Sequence, residues 1–227
     1  MKILVIDDEK PTLSMFKLFL NAYGYDVYTA ENGEKGLDLF LKIHPEIVFT
    51  DIKMPGIDGI EVLRRIRQTE IHTEVIIITG HGDMEKAVEA LDLDASDFIN
   101  KPVERKALNS ALSRAEKRLQ VSDSDRFKAE RTIENTSLVV HIKGKLTGAT
   151  GKVLFKMLSW DDTEQINNAR LVFDENFSIN RTGISLLIDF IQKLKEKNCP
   201  VFLDNLCYNY IKFFQMAGIN KIAKITA

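Results

Sequence analysis

The sequence predicts an α/β protein with two modules. The first is a doubly wound, five-stranded parallel sheet over residues 1–119. The second, over residues 132–227, is a smaller mixed-sheet α/β module. Three observations predict this. Short apolar runs alternate with amphipathic stretches through the first 102 residues, the pattern of repeated strand–helix–strand crossovers. The segment 121–131 (VSDSDRFKAER) is polar, charged and without clear period, so residues 120–131 read as a linker or helix extension. A second strand-and-helix pattern starts at Thr132, and 227 residues suit one large or two small domains.

In the first module, Ile3-Leu4-Val5-Ile6 is a continuous apolar run of the kind a buried parallel strand needs. Residues 11–22 place Leu13, Phe16 and Leu20 at helical spacing, and residues 26–30 (DVYTA) alternate as a strand. Residues 33–43 put Leu37, Phe40 and Leu41 on one helix face; Ile47-Val48-Phe49 is a buried strand ending at Asp51. Ile60, Leu63 and Ile66 mark a third helix, and Val75 to Ile78 the most apolar strand. Asp83 is placed to cap a helix carrying Ala87, Val88 and Leu91, and Phe98-Ile99 is the last short strand. A helix over 103–119 carries Leu108, Leu112, Ala115 and Leu119 at coiled-coil spacing. That spacing suits either chain pairing or an ordinary helix with one face on the sheet.

In the second module, residues 137–142, 171–173 and 201–203 read as strands, and 144–150 as a turn entering a helix faced by Val153, Leu154, Met157 and Leu158. Ile184, Leu187, Ile188, Ile191 and Leu194 mark a strong amphipathic helix starting near Thr182, and Tyr210, Ile211, Phe214 and Ala217 a further one closed by Gly218.

Composition narrows the function. Hydrophobic residues are 44% and charged residues 28%, as in ordinary globular protein, which excludes disorder of the whole chain. Net charge is −2, with −5 on residues 1–120 and +3 on the rest, which argues against a dedicated nucleic-acid binder. No run is long enough for a membrane helix, and the N-terminus turns acidic too early for a signal peptide; a reducing cytoplasm is the expected location. Cys199 and Cys207 alone make neither a disulfide framework nor a four-ligand zinc site and read as small buried apolar residues; Trp160 reads as packing. The second module shows no Gly-rich phosphate loop, no HExxH, no GxSxG and no basic helix-turn-helix, so no output enzyme is expected.

The chemistry sits where the first module's strands end: Asp7 and Asp8 after the first, Asp51 at the third, Thr79 at the fourth and Lys101 at the fifth. In parallel sheets such ends form the binding crevice. Three carboxylates together repel one another unless a cation sits among them, and hard oxygen ligands with open water positions suit Mg²⁺. A hydroxyl and an ammonium nearby can hold phosphoryl oxygens, and a carboxylate can itself be the phosphoryl nucleophile.

The motifs LVIDDE (4–9), VFTDIKMPGIDGIEVL (48–63), IIITGHGD (76–83) and AVEALDLDASDFINKPV (87–103) make residues 1–119 resemble a response-regulator receiver domain, a flavodoxin-like fold. The resemblance implies that Asp51 is the phosphoacceptor, that Asp8 and Asp51 ligate Mg²⁺ with Asp7 acting through water, and that the Lys53 backbone carbonyl completes the protein ligands. It implies that Thr79 hydrogen-bonds the phosphoryl group, that Lys101 pairs with it, and that Phe98 is the switch aromatic. Gly80 leaves phosphoryl access open; Lys53 and His81 stand where family members tune the lifetime of the phosphate. Asp94 stands where members often carry glycine. His44 and His72 read as surface residues.

In the second module, HIKGKLTGATG (141–151), RLVFDENFSINRTGISLLI (170–188), CPVFLDN (199–205) and FFQMAGINKI (213–222) resemble a STAS domain, the fold of anti-sigma-factor antagonists. The resemblance implies a small mixed sheet with helices on one face and a protein-binding surface around the loop before the 183–197 helix. Where that family often carries Asp-Ser-Ser-Gly, with the second serine phosphorylated, this chain has Asn180, Arg181, Thr182 and Gly183. Thr182 keeps a hydroxyl at a helix N-terminus, suited either to a phosphate or to capping, and Arg181 is a candidate partner contact.

The expectation is a two-component response regulator. A sensor histidine kinase phosphorylates Asp51, and the receiver then controls the binding of the STAS-like module to an anti-sigma factor or a serine/threonine kinase or phosphatase. No catalysis is expected beyond the receiver's own phosphorylation and dephosphorylation. The alternative is a constitutive scaffold in which the 103–119 helix makes a homodimer and the receiver site is rarely used.

Overall fold

The computed structural model describes residues 1–69, 71–80, 83–120, 127–158 and 166–226. His81, Trp160 and the 121–126 part of the expected linker lie outside the described residues. The chain forms two compact units, Met1–Gln120 and Val121–Ala227.

The first unit alternates strand and helix: β1 (Lys2–Ile6), α1 (Lys10–Ala22), β2 (Asp26–Ala30), α2 (Gly33–Ile43), β3 (Ile47–Asp51), α3 (Gly59–Arg67), β4 (Glu74–Thr79), α4 (Met84–Asp92), β5 (Asp97–Asn100) and α5 (Arg105–Gln120). The strands pair in the order β2-β1-β3-β4-β5, all parallel, which is the flavodoxin-like arrangement. β3 and β4 are buried along their whole length, as the continuous apolar runs require when helices cover both faces. Asn32 caps α2 through Lys35 N–H at 2.9 Å, and Asp58 caps α3 through Glu61 N–H at 2.9 Å.

Helix α5 starts two residues later than the leucine spacing suggests. It buries Leu108, Ala111, Leu112 and Ala115 in its own unit, against β4 and β5. The face proposed for chain pairing through the 103–119 helix is therefore already spent on the sheet, and the homodimer expectation loses its seam. Polar contacts fasten the same helix along its length: Tyr25 Oη donates to Glu116 Oε1 at 2.6 Å, Arg118 Nε lies 3.0 Å from Glu74 Oε2, and Arg114 Nε 3.7 Å from Asp97 Oδ2.

The second unit contains β6 (Lys128–Glu134), β7 (Ser137–Lys143), β8 (Lys145–Leu146), α6 (Gly151–Phe155), β9 (Asn168–Phe173), β10 (Ser178–Ile179), α7 (Arg181–Glu196), β11 (Val201–Asp204), α8 (Tyr208–Met216) and β12 (Lys224–Ile225). A five-stranded mixed sheet runs β12-β11-β9-β7-β6, with only the β6–β7 pair antiparallel. Strand β6 corrects the expected boundary at 132. Residues 128–131 are paired backbone, not linker. The reason is that β6 is a sheet edge on which only Ala129 is buried, so its charged residues hide the alternation. β8, β10 and β12 are two residues each and too short to leave a period. Gly183 is required where α7 meets β8, because a Cβ there would lie 2.1 Å from the Leu146 carbonyl oxygen. Phe173, Phe177, Tyr210, Phe213 and Phe214 form one aromatic cluster in this unit's core.

Candidate functional site

Sheet register builds the site. Ile6 pairs with Thr50, so the next residues, Asp7 and Asp51, emerge side by side. Asp51 pairs with Ile78 and Thr79 with Asn100, which brings Thr79 and then Lys101 to the same carboxyl edge. Lys101 N–H donates to the Thr79 carbonyl at 2.7 Å, and the Lys101–Pro102 peptide is cis. Gly59 keeps the loop after β3 close: a Cβ there would lie 2.1 Å from the Asp51 carbonyl oxygen.

One carboxylate oxygen each from Asp7, Asp8 and Asp51 lie within 4.8 Å of one another, with Asp7 and Asp51 buried and Asp8 exposed. The Lys101 ammonium stands 3.1 Å from Asp51 Oδ2, 3.1 Å from Asp7 Oδ2 and 3.8 Å from Glu9 Oε2. Asp7 Oδ1 accepts from Glu9 N–H at 2.8 Å, but Asp7 Oδ2 is buried with no well-directed hydrogen bond, only the charge contact with Lys101. Burial pushes the Asp51 carboxyl up to about 6; Lys101 pulls against this, and Asp7 and Asp8 add to the rise. Burial raises Asp7 as well. Burial acts to lower the Lys101 amine, but the negative charge of Asp51 and Asp7 outweighs it and holds the amine above its ordinary value.

This donor set fits a divalent cation. Three hard oxygens converge, one buried oxygen lacks a well-directed hydrogen bond, and burial raises two of the carboxyls in spite of the Lys101 ammonium beside them. Asp7, Asp8 and Asp51 would hold Mg²⁺, which when bound would offset charge on the acids and on a phosphoryl group.

The other expected residues divide. Thr79 ends β4 beside the acids, but its hydroxyl donates to Asn100 Oδ1 at 2.7 Å. Reading the sequence missed Asn100; its place directly before Lys101-Pro102 was the available signal. Phe98 is 1% exposed within β5. Lys53 lies in the loop after β3, and its ammonium is 2.7 Å from Asp83 Oδ1. Asp83 occupies the N-cap position of α4, but its side chain makes no cap; Oδ2 accepts from Gly80 N–H at 3.2 Å instead. Asp94 has φ +66°, the left-handed turn that glycine serves elsewhere, and its carbonyl accepts from Arg67 at 2.8 and 3.2 Å.

In the second unit, Asn180 is the α7 cap, its Oδ1 accepting from Gly183 N–H at 2.9 Å. The capping option for Thr182 is thereby overturned: it sits inside the first turn, exposed, next to exposed Arg181. These three residues lie on the second unit.

Residues 3–113 match the family model for the response regulator receiver domain. The chain is 40% identical over 114 residues to regulatory protein AtoC of Escherichia coli, covering 50% of this chain and 25% of AtoC. It is 34% identical over 121 residues to transcriptional regulatory protein FixJ of Rhizobium meliloti, covering 53% of this chain and 59% of FixJ. The chain thus spans a quarter to about three fifths of the length of these curated relatives. Among solved structures, a response regulator receiver domain protein from Clostridium thermocellum is 39% identical with a TM-score of 0.50, covering 53% of this chain and 98% of that one. The N-terminal half of this chain is a response regulator receiver domain.

Proposed function

We infer that Asp51 accepts a phosphoryl group from a sensor histidine kinase and that this event controls protein binding by a STAS-like C-terminal unit. The observation that carries the first part is the buried Asp51 carboxylate with Asp7 beside it and the Lys101 ammonium 3.1 Å away. A carboxylate oxygen of Asp51 attacks the phosphorus of a phosphohistidine, the P–O bond forms, the P–N bond breaks, and the electron pair leaves with the imidazole nitrogen. Lys101 orients the acceptor and neutralises part of the phosphoryl charge. Thr79 takes up a phosphoryl oxygen by giving up Asn100, and Phe98 follows as the switch aromatic. The Lys53 backbone carbonyl would join Asp8 and Asp51 in holding Mg²⁺, with Asp7 in support, and the ion would supply charge to offset the phosphoryl group. No other reaction is assigned to the chain.

The STAS-like reading is supported by the mixed sheet and by the exposed Arg181–Thr182 pair beside the Asn180 cap. The partner proposed is an anti-sigma factor or a serine/threonine kinase or phosphatase, bound at that loop. The constitutive-dimer alternative is weakened by burial of Leu108 and Leu112 in their own unit. The test is phosphorylation by a phosphodonor with Mg²⁺, comparing wild type with Asp51→Asn, followed by capture of partners on both forms. Label on Asp51→Asn equal to wild type would refute the acceptor, and identical partners with and without phosphate would refute the coupling.

A further inference from the structure

Helix α4 is tied to its neighbours along one edge at residues three apart. Asp83 pairs with Lys53 at 2.7 Å, Lys86 with Asp58 at 3.1 Å, and Glu89 with Arg64 at 3.3 Å. The second and third of these pairs are substantially exposed and individually weak. The first differs. The Asp83 carboxylate is 7% exposed, and its second oxygen is fixed by Gly80 N–H at 3.2 Å. It therefore bridges the two loops that leave the site. Lys53 lies two residues beyond Asp51, Gly80 directly follows Thr79, and Ile52 N–H, just past β3, donates to the Ile78 carbonyl within β4 at 3.0 Å.

We propose that Asp83 is a positioning residue for phosphoryl transfer: its buried carboxylate holds the Lys53 ammonium away from the acceptor pocket. This rests on the reading of Asp51 as phosphoacceptor. An ammonium two residues from the acceptor is a ready counter-charge for the phosphoryl group in flight. A carboxylate at 2.7 Å competes for it. Transfer is fastest when Asp83 gives up Lys53. The same release removes the first of the three ties on α4, which joins the chemistry at Asp51 to the freedom of that helix.

The test uses the full chain with saturating Mg²⁺ and acetyl phosphate. The phosphoryl group passes to an Asp51 oxygen and acetate leaves. Asp83→Asn keeps an oxygen for Gly80 N–H, so the turn persists, and it removes the ion pair; thermal melts check that the variant is folded. The rate of Asp51 phosphorylation rises about three- to tenfold in Asp83→Asn. In a Lys53→Met background the same substitution changes the rate by less than about twofold, because the residue through which it acts is gone. An unchanged or slower Asp83→Asn overturns the proposal, and so does an acceleration that survives the loss of Lys53. A wild type that takes no label at Asp51 refutes the acceptor assignment itself and this proposal with it; a labelled wild type with indifferent variants refutes this proposal alone.

Discussion

Lys101 Nζ is 3.1 Å from Asp51 Oδ2, and it is the same atom that lies 3.1 Å from Asp7 Oδ2. One ammonium thus serves two buried carboxylates that belong to different strands. The arrangement is a charge balance that a divalent cation can share, and it makes the site sensitive to loss of either component.

Lys101→Met leaves both carboxylates without their cation. Because Lys101 is a quarter exposed, the cost is below that of a fully buried pair, about 1–3 kcal/mol in metal-free protein. Urea denaturation of the two proteins measures it. Millimolar Mg²⁺ recovers a larger share of the stability in the variant than in wild type, since the ion then supplies the missing charge.

The Asp51 carboxyl, raised to about 6, gives a pH dependence with a definite sign. Between about 4 and 6 the folded protein holds more protons than the unfolded chain, so the contribution of Asp51 to stability falls as pH rises. Below about 4 both states are protonated and the contribution vanishes. Above about 6 the penalty is complete, at about 1–3 kcal/mol. Asp51→Asn is therefore more stable than metal-free wild type at pH 7, and the two converge near pH 4. Parallel melting curves across that range check it; a constant gap would count against burial as the cause.

Asn180, not Thr182, caps α7, so the two residues separate under substitution. Asn180→Ala costs about 1 kcal/mol, Asn180→Asp much less, and Thr182→Val stays within about 0.5 kcal/mol. Denaturant midpoints of the three variants decide it. Thr182→Glu weakens partner capture in the same set if the loop is the binding surface.

Much of the receiver was legible because its strands are buried on both faces and read as unbroken apolar runs, as at Val75 to Ile78. Register then follows from topology, and register alone puts Asp7 beside Asp51. What stayed hidden were choices between equivalent partners. Nothing in the sequence tells Asp83 to bond Gly80 rather than cap α4, or Thr79 to face Asn100. The same holds for Asn180 and Thr182, both competent caps two residues apart. In the second unit, β6 was missed because an edge strand carries charge where a central one carries Val or Ile.

Helix α5 bears on how this protein can be cut and rejoined. Tyr25–Glu116 and Arg118–Glu74 rivet its last two turns to the first unit. A splice made before Glu116 would remove both rivets, and one made between Glu116 and Arg118 would remove the second, however conservative the graft. Transplants that join the first unit to a different module should keep the native chain through Gln120 and place the joint beyond it.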